Sequence, residues 1–127
     1  MSTNSAIAMK QEDGSIKSVY CHWDGYPSNQ YPILVNGYGT TELVDELIKL
    51  GNISNLEYSV DSTIFYGRDR HEDDQEPESY NDIAELMDSS LSAEYYYYFT
   101  GQKWNVFDGN GNDITKQCEL GNFDEDE

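Results

Sequence analysis

Basic residues are scarce in this chain: 7 Lys plus Arg stand against 25 Asp plus Glu in 127 residues, a formal net charge of −18. A surface so poor in cations repels both the phosphate backbone and anionic headgroups, so direct binding to nucleic acid or to a membrane surface is not expected. No run of about 18 apolar residues occurs, so no helical membrane span is expected. The opening stretch Met1–Gly14 lacks the apolar core of a cleaved signal, which argues against secretion by that route. Cysteine is nearly absent, and Cys21 and Cys118 are too few for the disulfide framework of a small secreted domain. Both are read as reduced thiols in a cytosol. There is no glycine-rich phosphate loop and no standard hydrolase or metalloprotease motif. The expectation is therefore a protein that is not an enzyme, with no cofactor and no metal.

Aromatic residues, in contrast, are plentiful. High net charge favours disorder, but 11 Tyr, 4 Phe and 2 Trp supply large side chains that bury well. The length suits one domain, taken as residues 1–123, followed by a solvated acidic tail, Asp124–Glu127.

Two β-hairpins frame the chain. Asp13-Gly14 is a two-residue turn signal, both positions requiring positive φ. Counting outward pairs Gln11 with Ile16, Met9 with Ser18 and Ile7 with Tyr20, which puts Ile7, Met9, Ile16 and Tyr20 on one core face. Near the other end, Gly101-Gln102 suits a type II′ turn between Tyr95–Phe99 and Lys103–Phe107. Phe99 then faces Trp104 and Tyr97 faces Val106. Between the hairpins, Thr41 reads as the N-cap of a helix with the stripe Leu43, Val44, Leu47 and Ile48, stopped by Gly51. Pro32–Gly37 fits a short helix or an extended piece. Thr63–Tyr66 is a short strand candidate. Arg68–Glu78 has no apolar anchor and reads as a mobile loop. Ser79 with Asp82 resembles a capping box opening a helix whose apolar face is Ile83, Leu86, Met87 and Leu91. The order predicts an α+β domain: a mostly antiparallel sheet built from the two hairpins, with two or three helices packed on one face.

The charge is unevenly placed. Residues 1–63 carry 8 acids and 3 bases, whereas residues 64–127 carry 17 acids and 4 bases. A protein of this size exposes roughly 6,900 Å², so 25 acids spread evenly give about one per 275 Å². The 17 gathered on half of it give about one per 200 Å², approaching duplex DNA at about one charge per 100 Å². A DNA-like face is feasible if the second half folds to one side; the bland counterpart is a merely soluble acidic surface. The candidate partner-binding carboxylates are Asp69, Glu72, Asp73, Asp74, Glu76, Glu78, Asp82 and Glu85.

Three other segments invite chemical readings. Cys21-His22-Trp23-Asp24, with Tyr26 nearby, is a candidate thiol or metal site, but it lacks the second ligand pair that zinc spacings require. The plainer reading has Trp23 and Tyr26 packing while His22 and Asp24 serve the backbone at a strand end. Asp108–Glu119 places oxygen side chains at positions 1, 3, 5 and 12 of a calcium-type loop. Its sixth position is Asp113 rather than glycine, which favours an ordinary Asn/Gly/Asp turn. Tyr95–Tyr98 could stack bases, but alternate rings of a strand face the core and the net charge opposes nucleic acid.

Ser5-Ala-Ile-Ala8 followed by Glu12-Asp-Gly-Ser-Ile-Lys-Ser-Val-Tyr-Cys-His-Trp-Asp-Gly-Tyr-Pro-Ser28 resembles a family of small proteins encoded by bacteriophages and prophages, with an STRSxIA opening, a DG hairpin and a YCHWDGYPS block. The likeness is specific over residues 2–28, looser through Leu43–Gly51 and weak beyond. Asn4 stands where arginine is common, and Gln30-Tyr31-Pro32 replaces a glycine-containing segment. The resemblance brings no activity and no site residues; it implies a phage context and a bacterial cytosol. The functional expectation is a non-enzymatic phage protein that binds and inhibits an electropositive host protein, one that itself binds nucleic acid, by presenting carboxylates in place of phosphates. The alternative is a small enzyme or ligand-binding module centred on Cys21–Asp24. Nothing in the sequence argues for or against a homodimer.

Overall fold

The computed structural model describes residues 3–89 and 93–121; Leu91 and the acidic tail lie outside them. β1 (Ser5–Lys10) and β2 (Ile16–Cys21) form the central antiparallel hairpin. Its loop is three residues long, not two. Gly14 N donates to Gln11 O at 3.1 Å and Gln11 N to Ser15 O at 2.7 Å. Gly14 has φ +91, whereas Asp13 is not among the positive-φ residues. This is a type I turn closed by a glycine bulge, and the extra residue shifts the register by one. Ile7 pairs with Val19 and Ala6 with Tyr20, so Ile16 and Tyr20 lie on the face opposite Ile7 and Met9.

The sheet continues with β3 (Ile53–Asn55), β4 (Ile64–Phe65), β5 (Glu78–Tyr80), β6 (Tyr95–Phe99) and β7 (Trp104–Asp108). The strand order is β4-β3-β2-β1-β6-β7, with β5 attached separately to β2. The class is α+β as expected, but the sheet is mixed rather than mostly antiparallel. β1 runs parallel to β6, and β2 parallel to β3 at Cys21–Ile53. The two hairpins meet side by side in the same direction because the chain between them crosses over through helices. In the second hairpin Phe99 pairs with Trp104 and Tyr97 with Val106, and Gly101 has φ +105, all as the turn signal required.

α1 (Pro27–Gly37) begins with proline in its first turn, where no amide partner is needed. It runs through Pro32 to Gly37, so that stretch is helical. α2 (Thr41–Lys49) is capped by Thr40, not Thr41; the Thr40 hydroxyl accepts from Leu43 N at 3.2 Å. Gly51 follows α2 at φ +90. α3 (Ile83–Met87) starts later than expected. Ser79 belongs to β5, and the cap is Asp82, whose carboxylate accepts from Glu85 N at 2.9 Å. α4 (Thr115–Glu119) carries the buried Cys118.

Both faces of the sheet are covered. α1, α2 and α4 close one core with Ile7, Val19, Leu34, Leu47, Phe65, Tyr97, Phe99 and Trp104. On the other face Ala6, Ala8, Ile16 and Tyr96 meet Leu86 of α3. Helices thus lie on both faces rather than one. The one-residue register shift is the reason: it turns Ile16 away from the first core, and a short helix covers it. Among the described residues no helix is long and apolar enough to cross a membrane.

Candidate functional site

The acidic connector Arg68–Glu78, read as a loop without an apolar anchor, forms a hydrogen-bonded strap in which polar groups do the anchoring that apolar ones would. At its start Asp69 accepts Phe65 N at 2.8 Å and pairs with Arg68 at 3.0 Å. Arg68 also donates to Thr63 O at 2.8 Å and stacks over the Phe65 ring, 4.7 Å from its centroid. Arg70 lies 5.3 Å above Tyr66. His71 and Asp74 adopt left-handed φ of +58 and +61, turning the strap twice. At its far end Asn52 N donates to Gln75 O at 2.9 Å, and Asn52 Nδ2 to Gln75 Oε1 at 3.1 Å. Asn52 Oδ1 in turn accepts Tyr20 N at 2.9 Å, tying the strap to the central hairpin.

This arrangement divides the eight candidate carboxylates. Asp69, Asp82 and Glu85 work inside the fold: Asp69 as above, Asp82 as the α3 cap, and Glu85 accepting from Asn81 N and Nδ2, each at 3.0 Å. Glu78 Oε2 accepts from the Tyr80 hydroxyl at 3.0 Å. Glu72, Asp73, Asp74 and Glu76 are exposed, and their side chains make no hydrogen bond or ion pair among the described residues. Asp74 and Glu76 border two grooves at once, one with Lys49, Leu50 and Arg68, the other with Ser18, Tyr20, Asn52, Glu78 and Tyr80. The strap is therefore a ridge of free negative charge held at a fixed place on the sheet. Of the seven bases, Arg68 and Lys103 are committed to ion pairs with Asp69 and Glu119.

The Arg68 side chain and Phe65 N hold the Asp69 carboxyl below the usual carboxylate range. A depressed pKa stabilises the fold above the unfolded value and ceases to do so as pH falls through the folded one. Asp69→Asn is accordingly expected to flatten the acid limb of the stability profile, below the ordinary aspartate range, with no effect on that slope near neutrality. Denaturant midpoints collected between pH 2 and 7 check this.

The Cys21–Asp24 segment has a structural role in its first residue. Cys21 is fully buried at the end of β2, and burial pushes its thiol up to about 11. Gln30 Nε2 donates to Cys21 Sγ at 3.2 Å, while Gln30 Oε1 accepts the Ser5 hydroxyl at 2.5 Å. Gly25 packs so closely on β1 that a Cβ would stand 2.8 Å from Ser5 Cβ, and its carbonyl accepts the Tyr97 hydroxyl at 2.6 Å. The block thus joins β2 to α1. Trp23, expected to pack, is 40% exposed; it stands two residues past the end of β2, and its ring leans edge-on against His22, 4.6 Å between centroids. Asp24 sits at φ +56 and turns the chain. A thiol with so high a pKa is a poor nucleophile. Cys21 is expected to resist alkylation at pH 8 until the protein is unfolded, a result that mass spectrometry after pulse labelling would read. Labelling of Cys21 at the rate of a free thiol would revive a reactive site there.

In the Asp108 loop, the carboxylate is already filled by Asn110 N at 2.9 Å, Asn112 N at 3.0 Å and Asn112 Nδ2 at 3.1 Å, the geometry of a plain Asx turn. Among the described residues no three His, Cys, Asp or Glu side chains converge as metal ligands.

Sequence reasoning missed the residues that position the strap. Gly51, Asn52 and Gln75 carry no charge, and only the glycine gave a signal, which was read as a helix stop. No protein-family profile, curated protein or solved structure matches the chain.

Proposed function

We propose that the protein binds an electropositive, nucleic-acid-binding host protein in a bacterial cytoplasm and blocks it by setting carboxylates where phosphates would lie. The observation that supports this reading is the exposed quartet Glu72, Asp73, Asp74 and Glu76 on a strap fixed to the sheet. Unpaired, preorganised charge costs little to bring to a basic groove, and its long-range field accelerates encounter. Spread evenly over the exposed surface of 6919 Å², the 25 acids would be sparser than the charges of duplex DNA, so the reading relies on the closely spaced carboxylates of the strap. The resemblance to phage-encoded proteins gives the reading its setting.

The test is affinity capture of partners from bacterial lysate followed by competition with duplex DNA. DNA should release the captured protein. A partner that stays bound in excess DNA, or that has no affinity for nucleic acid, would contradict substitution for phosphates.

A further inference from the structure

The fork where β5 and β3 share one edge of β2 leaves an open groove of about 360 Å³ between them. Its wall is acidic, with Asp74, Glu76 and Glu78, and two phenol rings, Tyr20 and Tyr80, belong to the same lining. The register places these groups in order on one face of the sheet. Ser18 lies between Ala8 of β1 and Glu78 of β5, Ile16 and Tyr80 pair one step to one side, and Tyr20 stands one step to the other.

Ser18 is the unusual member. It is 4% exposed, it lines the groove, and its hydroxyl is the one buried side-chain polar atom without a hydrogen-bond partner among the described residues. The reason is local: one cross-strand neighbour is alanine, and the other, Glu78, turns its Oε2 to the Tyr80 hydroxyl at 3.0 Å. A buried polar group left without a partner costs free energy, so an orphan hydroxyl on a residue that lines the same groove as three carboxylates marks a place for a donor that arrives from outside.

We infer that this groove seats the guanidinium group of an arginine side chain supplied by the partner protein. Carboxylates on the strap and on β5 provide the charge, Ser18 provides an acceptor at the floor, and the Tyr20 and Tyr80 rings provide faces for a planar cation. Arginine suits the site better than lysine because its five N–H donors lie in one plane and reach several acceptors at once. A metal ion suits it less, since no three ligating side chains converge among the described residues. The inference rests on the proposed docking of a basic partner, and it names the one residue type that enters the sheet rather than meeting the exposed ridge.

The test uses Nα-acetyl-arginine amide as the probe, titrated into the full chain and followed by NMR. Saturable shifts confined to the groove lining, Ser18, Tyr20, Asp74, Glu76, Glu78 and Tyr80, are expected, with Nα-acetyl-lysine amide binding more weakly. Glu78→Gln should weaken the arginine probe roughly tenfold, the loss of one charge-assisted contact. Ser18→Ala should weaken it several-fold while leaving the denaturation midpoint unchanged or raised, because the lost hydroxyl had no partner to lose. A residue with a purely structural role would show the opposite pairing. Shifts at Glu72 and Asp73 with none at Ser18, Tyr20 or Tyr80, or equal affinity for the two probes, would overturn the arginine seat and leave the acidic ridge standing. Probe binding in the groove alongside failure of DNA competition would instead overturn the phosphate-substitution reading and leave the seat.

Discussion

Gly51→Ala should lower the stability of the protein by about 2–4 kcal/mol and, without altering a single charge, weaken binding to the proposed basic partner. Two costs combine at this position. The backbone holds φ +90, where an L side chain is strained, and the added Cβ would stand 2.1 Å from Gln75 O. That carbonyl accepts Asn52 N, so relief of the clash must push the strap off its anchor. Gly101→Ala supplies the comparison: its φ is +105, but nothing lies within 4 Å of the new Cβ. It should cost about 1–2 kcal/mol from strain alone and leave binding intact. Urea denaturation of both variants reads the first quantity, and partner affinity the second. Equal midpoints, or unchanged affinity in the Gly51 variant, would show that the strap does not depend on this contact.

Converting Glu72, Asp73, Asp74 and Glu76 to their amides should slow association with the partner by about 10- to 100-fold at low salt, with a smaller change in dissociation. The fold should be untouched, because none of the four side chains makes a hydrogen bond or ion pair among the described residues. The same number of changes placed at Asp69, Asp82, Glu85 and Asp13 should act the other way round, reducing stability more than association. Asp69 serves Phe65 N and Arg68, Asp82 caps α3, Glu85 holds Asn81, and Asp13 accepts from Ser15 N at 2.9 Å. Stopped-flow association rates and denaturation midpoints, taken on both variants, separate the two sets. Losses of association rate that match in the two sets would mean that net charge, and not its placement, governs binding.

How far these features were legible from sequence depends on the range of the interaction involved. The second hairpin follows from Gly101 and the aromatic ladder because its turn and its pairs are local. The first hairpin was misread by one residue. Asp-Gly is compatible with a two-residue turn and with a three-residue turn closed by Gly14, and only the burial demands of the whole sheet choose between them. That single step moved Ile16 and Tyr20 to the second face and created a second core for α3 to cover. The parallel pairing of β1 with β6 joins segments about ninety residues apart, which local periodicity does not register. The strap shows the same limit in a different form. Its charge density was plain in Asp69–Glu78, yet its order comes from Asn52 and Gln75, two uncharged amides whose pairing no periodicity announces. The groove was invisible for a related reason: Ser18 and Tyr20 face Glu78 and Tyr80 only because β5 forms where a helix start had been expected.

The most direct test of the central claim is the salt dependence of partner affinity, measured for the native protein and for the variant with residues 72, 73, 74 and 76 neutralised. Between about 50 and 200 mM salt the native protein should lose affinity steeply, in the manner of a phosphate backbone leaving a basic groove. The neutralised variant should start weaker and lose much less. A native affinity that is flat across that range, or identical slopes for the two proteins, would contradict the account.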